Sequence, residues 1–191
     1  IELWAHDTSN ISTWQVADVH NGQGNSEPGK YMSILIEDTI YFDANDGNSG
    51  VELWAHNISN TTTWQAADIY AGGTSSYSGE YMSLLVGDTL YFSAGNGSTG
   101  QELWAHDASN DSTWLVADIH SSGDSDPGQF MAHLVGDTLY FSADDGNIGE
   151  ELWAHDTSNH STWLVSDILG YDPISFVNSG TVSYTHLTLP T

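Results

Sequence analysis

The residues best placed to do chemistry form an oxygen-rich run, Asp43-Ala44-Asn45-Asp46-Gly47-Asn48-Ser49-Gly50-Val51-Glu52. Asp43, Asn45, Asp46 and Glu52 offer hard oxygen donors at alternating spacing, and Gly47 permits a sharp turn. Those are features a Ca²⁺ loop needs, since the ion takes about 6–8 oxygens. A related loop repeats the pattern with Asp144, Asp145 and Glu151. Between them, Ser93 to Glu102 has Gly95 and Asn96 at the matching places and so less ligand charge. The plain reading of such a run is an Asn/Asp/Gly hairpin turn; calcium is the chemical one.

Two further sets recur. His6, His56, His106 and His155 occupy one position each in a repeated ELWAH segment. Imidazoles facing a common axis could gather round a metal, but no two are locally paired as on a helix. The expected role is a hydrogen-bonded histidine packed against the neighbouring repeat. Of the eight tryptophans, Trp4, Trp54, Trp104 and Trp153 follow the same rule, as do Trp14, Trp64, Trp114 and Trp163. Exposed, such rings stack on sugars; their expected place is between repeats, where large rings bury most area. Asn10, Asn60, Asn110 and Asn159 begin N-x-[ST] sequons at one turn, and Asn57 and Asn96 begin two more. They are candidate glycosylation acceptors if the protein is secreted, though turn chemistry also selects Asn and Ser. No nucleophile elbow, P-loop, dinucleotide fingerprint or helical zinc motif occurs, and a non-enzymatic role is expected.

The elements that carry these residues are short strands. ELWAHD at Glu2–Asp7 returns at Glu52, Glu102 and Glu151, spacings of 50, 50 and 49 residues. Ile1 to Asp7 alternates, so Leu3, Ala5 and Asp7 should face one way and Glu2, Trp4 and His6 the other. Thr13–Val19 predicts an antiparallel partner, with Ser9-Asn10 in the turn. Asn21–Gly29 is loop. Tyr31–Ile36 and Thr39–Asp43 predict a hairpin about Glu37-Asp38, and Asn45–Gly50 leads to the next ELW. Tyr81–Val86, Leu90–Ser93, Phe130–Val135 and Leu139–Ser142 repeat the hairpin. Ile174–Tyr184 aligns with Met32–Phe42, which makes about 16 strands. The predicted fold class is all-β: a β-propeller-like array of four-stranded antiparallel blades, about four blades' worth. Three are continuous and one is split between the termini; closure into a ring is favoured over an open arc.

The chain of 191 residues has 26 acidic residues against one basic, a net charge of -25, and no cysteine. Such a surface makes nucleic acid and anionic membranes poor partners, and no apolar run approaches the roughly 18 residues of a bilayer span. Cysteine provides neither a disulfide frame nor a thiolate site. Ile1 opens within a repeat, so the native N-terminus and any signal peptide are expected outside this sequence. Val182–Thr191, VSYTHLTLPT, is similar to a translated sequencing adapter. The repeat domain is therefore taken as residues 1–181 of a metagenomic gene fragment, and the tail is set aside.

ELWAHD, TWLVADI and LVGDTLYFSADDGNIG together resemble the ELWxxDGT-type repeat of bacterial and archaeal surface proteins, with a strand order similar to kelch blades. Thr8, Ile58, Ala108 and Thr157 stand where that pattern has Gly, so the following Ser-Asn should make the turn. The resemblance implies an extracellular or cell-surface, non-catalytic module for adhesion, with a protein or glycan partner. The alternatives are a fragment of a propeller-type glycan-processing enzyme and a calcium-stabilised structural repeat.

Overall fold

The computed structural model describes residues 1–168. They fold as an all-β chain of antiparallel sheets, with no helix among them. β1 (Leu3–Asp7) pairs with β2 (Ser12–Ala17). The first four-stranded sheet is β3 (Ser33–Ile36), β4 (Thr39–Asn45), β5 (Val51–Asn57) and β6 (Thr62–Ala67), in that order. The second is β7 (Ser83–Val86), β8 (Thr89–Gly95), β9 (Gln101–Asp107) and β10 (Ser112–Ala117). The third is β11 (Ala132–Val135), β12 (Thr138–Asp144), β13 (Glu150–Asp156) and β14 (Ser161–Ser166). The pair expected at 174–184 and the tail at 182–191 lie outside the described residues.

Strand starts differ from the sequence expectation for a definite reason. β3 begins at Ser33, not Tyr31, because the amides of Tyr31 and Met32 donate to the Asp43 carboxylate at 2.9 and 2.8 Å instead of joining the ladder. β2 ends at Ala17, not Val19, because the Val19 amide donates to Glu2. β4 runs on to Asn45, which pairs with Val51. All four ELW strands share a bulge after the Leu, as between Leu53↔Ala67 and Trp54↔Gln65. One extra residue there increases the local twist.

The core lies between sheets rather than inside any one of them. Period-2 alternation gives each sheet two apolar faces. In the first, Phe42 opposes Trp54 on one face, and Tyr41 opposes Ala55 on the other. The Tyr41, Leu53 and Ala55 face packs on Leu90, Phe92 and Ala94 of the second sheet. The Tyr91, Leu103 and Ala105 face packs in turn on Leu139, Phe141 and Ala143 of the third. The two-stranded sheet meets Phe42, Ala44 and Trp54 through Leu3, Ala17 and Val19. Leu90, Phe92, Leu139 and Phe141 are fully buried, each side chain contributing about 1.5–3 kcal/mol. Five tryptophans are half-buried between sheets as expected, while Trp4, Trp14 and Trp163, at the two ends of the stack, are exposed.

Candidate functional site

The oxygen-rich loop does not gather its oxygens. Asp43 opposes Leu53, and Ala44 opposes Glu52, so Asp43 and Glu52 leave the sheet on opposite faces. Asp43 is buried, with its carboxylate held by the two amides that open β3. Asn45 accepts the Gly47 amide at 2.7 Å, and Asp46 accepts from Asn48 N, Ser49 N and Ser49 Oγ at 2.8–2.9 Å. The related loop behaves alike: Asp144 accepts the Gly146 amide, and Asp145 those of Asn147 and Ile148. These are Asx turns. Among the described residues no group of three or more acidic or histidine side chains is placed to hold a metal ion.

Glu52 instead anchors a distant segment. It is fully buried on β5, and it accepts the Ile69 amide at 2.8 Å and the Ser76 amide at 3.0 Å. Both donors lie on the linker to the next sheet. Glu2 holds Val19 N and Ser26 Oγ in the same way, Glu102 holds Ile119 N and Ser125 Oγ, and Glu151 accepts the Ile168 amide at 2.6 Å. Burial pushes the Glu52 and Glu102 carboxyls up to about 7 despite those donors. At Glu2 the balance reverses: burial is the largest single influence and raises the value, but hydrogen bonds from Ser26, Val19 and His20 together hold its carboxyl below the usual value. Sequence reasoning grouped Glu52 with its loop and missed this role. The signal was present: a serine stands 24, 24 and 23 residues after Glu2, Glu52 and Glu102.

The glycine of each loop seats a ring from the preceding linker. A Cβ on Gly47 would meet the His20 ring at 2.6 Å, one on Gly97 the Tyr70 ring at 2.3 Å, and one on Gly146 the His120 ring at 2.3 Å. The loops are thus packing surfaces as well as turns.

The repeated histidines each share a hydrogen bond through Nδ1 with the cross-strand threonine: His6 with Thr13, His56 with Thr63, His106 with Thr113 and His155 with Thr162, at 2.7–2.8 Å. His106 and His155 are fully buried beneath Tyr41 and Tyr91 of the preceding sheet. Burial lowers the pKa of His56, His106 and His155, so each rests neutral.

The sequon asparagines sit in the turns that follow. Asn10 donates from Nδ2 to Asp7 and accepts the Ser12 amide; Asn110 and Asn159 do the same with Asp107 and Ser112, and Asp156 and Ser161. Asn60 accepts the Thr62 amide at 3.0 Å. The left-handed residue is the one after Asn: Ile11, Thr61, Asp111 and His160, φ 58–59°. The turn expected from the missing Gly is therefore made by Asp and Asn side chains together with one left-handed residue.

An open concavity lies between the second and third four-stranded sheets. Its volume is about 540 Å³, and Tyr91, Asp107, Asn110, Trp114, Thr157 and His160 are among its lining residues. Small-molecule sites occupy about 300–1,000 Å³. It offers the half-buried Trp114 ring beside hydroxyl, amide and carboxylate groups, while Tyr91 forms its buried floor.

No family model matches the sequence, and no curated protein does. Among solved structures the chain is similar to puromycin hydrolase, with a TM-score of 0.54 and 10% identity, over 81% of this chain and 22% of that one. The S511A mutant of that enzyme complexed with PGG gives a TM-score of 0.53 at the same identity and coverage. At this identity the likeness bears on the fold alone, and this chain spans about a fifth of the length of those proteins.

Proposed function

We propose that the chain is a non-catalytic repeat module, a propeller-type array of about four blades that displays surfaces for a protein or glycan partner. One observation carries the reading. The same polar residues perform the same structural task in successive sheets: the buried Glu anchors a linker, the His pairs with a Thr, and the Asp and Asn close a turn. Enzymes draw unlike groups together at one point, whereas a display scaffold repeats like ones. The resemblance to ELWxxDGT repeats supports a surface or extracellular setting, and the net charge of -25 suits a partner other than nucleic acid. The structural neighbours are forms of a hydrolase of which this chain matches about a fifth, so hydrolysis is not carried over.

The cleft of Asp107, Trp114 and His160 is where a glycan would bind, with Trp114 as the ring it would stack on. A panel of polysaccharides and surface proteins tests the module. Binding without turnover, weakened by His160→Ala, is the expected result. Turnover of any polysaccharide, abolished by Asp107→Asn or His160→Ala, would overturn it in favour of the glycan-processing alternative.

A further inference from the structure

The middle oxygen-rich loop differs from its two counterparts in how its turn is held. In the first and third four-stranded sheets the amide of the turn glycine is capped: Gly47 N donates to Asn45 Oδ1 and Gly146 N to Asp144 Oδ1, both at 2.7 Å. In the second sheet the capping position is Gly95, which has no side chain, and the Gly97 amide has no acceptor among the described residues. Just before that amide stands Asn96, where the counterparts have Asp46 and Asp145. Asn96 Oδ1 accepts from Ser98 N, Thr99 N and Thr99 Oγ1 at 2.9–3.0 Å. Those bonds fold the carboxamide over the peptide that follows it.

We propose that Asn96-Gly97 is a self-modifying site, at which the chain converts Asn96 to aspartate and isoaspartate with its own Gly97 nitrogen as nucleophile. The chemistry needs only water. The Gly97 amide gives its proton to solvent base, and its nitrogen bonds to Cγ of Asn96. The Cγ–Nδ2 bond breaks, and Nδ2 takes a proton from water and leaves as ammonia. The five-membered imide then takes up one water. Opening at Cγ leaves aspartate; opening at the main-chain carbonyl leaves isoaspartate, with the chain routed through Cγ.

Three features of the fold favour the step. The missing cap matters because a hydrogen bond from the amide to an acceptor holds the proton on nitrogen. The three donors on Oδ1 face the oxygen that gains negative charge as Cγ becomes tetrahedral, as an oxyanion hole does. Gly97 is exposed and holds φ 78°, so base and water reach the attacking nitrogen.

The two products fit the fold differently. Aspartate at 96 reproduces Asp46 and Asp145, whose carboxylates already accept from the amides that follow them. The turn is kept, and the middle loop gains the charge of its counterparts. Isoaspartate adds a main-chain carbon just before Gly97, where a Cβ would meet the Tyr70 ring at 2.3 Å. That product should unseat Tyr70 and loosen the linker between the first and second sheets. The site is independent of the glycan cleft proposed above.

The test incubates the full chain in mildly alkaline buffer, folded and in denaturant, and follows each asparagine by peptide mass spectrometry with fragmentation that separates isoaspartate from aspartate. Gly95→Asn restores the acceptor found at Asn45, and Gly95→Ala is its control. Asn21-Gly22, the other Asn-Gly pair, is the internal reference. In the folded chain Asn96 should convert at least as fast as in denaturant. Gly95→Asn should slow it about tenfold, the effect of one hydrogen bond. Gly95→Ala should leave it unchanged, Asn21 should convert alike in all three proteins, and in denaturant the three should not differ at Asn96. Slower conversion of Asn96 in the folded chain than in denaturant would overturn the proposal. So would Gly95→Asn converting as fast as Gly95→Ala. A slowing by Gly95→Asn that persists in denaturant would assign it to local sequence and overturn the role of the missing cap.

Discussion

The ring of Tyr41 packs on the ring of His106, centroids 4.9 Å apart and planes inclined at 52°, although the two residues belong to different sheets. Tyr91 and His155 repeat the contact at 5.4 Å and 48°. The pair is a rivet between neighbouring sheets, and it works because a cross-strand Thr holds each imidazole in place. His106→Ala should lower stability by about 2–4 kcal/mol, the range for opening a buried cavity. A double-mutant cycle of Tyr41→Leu with His106→Gln should return a coupling of about 1 kcal/mol. The same cycle on Tyr41 with His155, in the sheet beyond, should return none. Equal couplings would mean that the rings only fill space.

The anchoring carboxylates make stability depend on pH. Glu52 and Glu102 have ordinary values of 4.5, pushed by burial to about 7. Because the folded value is the higher one, their contribution is fully present below pH 4.5 and is lost as pH rises through about 7. The gap corresponds to on the order of 3 kcal/mol per group. The buried histidines act in the opposite sense. Their folded values lie below the ordinary 6.5, so their contribution is present above 6.5 and is lost as pH falls through the folded values. Denaturant unfolding at constant ionic strength should therefore show greatest stability on the weakly acidic side. Combining Glu52→Gln with Glu102→Gln should flatten the fall between pH 4.5 and 7. An unchanged slope in that variant would remove both groups as its source.

Much of this fold was legible because strands with two buried faces still alternate by type. Phe42 and Trp54, and Tyr41 and Ala55, fall where the period of two puts them. What stayed hidden involves partners far apart in sequence. The Glu52 carboxylate looks like a loop ligand until Ile69 and Ser76 are seen to donate to it. The diversion of the Tyr31 and Met32 amides to Asp43 shortens β3, and no local pattern announces it. Likewise Gly97 reads as a turn glycine, while the Tyr70 ring that leaves no room for a Cβ comes from the linker before it.

One turn departs from its counterparts in a way that can be improved. Glu37 holds φ 50°, where the matching hairpins have Gly87 at 59° and Gly136 at 61°. A left-handed non-glycine residue costs about 1–2 kcal/mol, and glycine returns about 0.4–1 kcal/mol of that through the freedom of the unfolded chain. Glu37→Gly should therefore raise stability by about 0.5–1 kcal/mol. Thermal unfolding beside Asp38→Gly, which removes the same charge without relieving a left-handed residue, separates strain from electrostatics. Equal gains from the two would assign the effect to charge.

The directions of the loop oxygens frame the test for calcium. Asp43 and Glu52 lie on opposite faces of their sheet, each holding backbone amides, and the Asp46 carboxylate already accepts from Asn48 and Ser49. To bind an ion in common, these groups would have to give up donors that organise β3, the linker and the turn. A divalent ion can still act on the chain as a whole, because a net charge of -25 is self-repulsive and any cation screens it. Ca²⁺ and Mg²⁺ at matched ionic strength should then raise the melting temperature by the same amount. Asp46→Ala should lower stability by about 1 kcal/mol without any ion, through loss of the turn's acceptor, and should leave both ion responses unchanged. A Ca²⁺ shift larger than that of Mg²⁺, and absent from Asp46→Ala, would instead show that the loop rearranges into a specific site, with binding to the folded state driving the change.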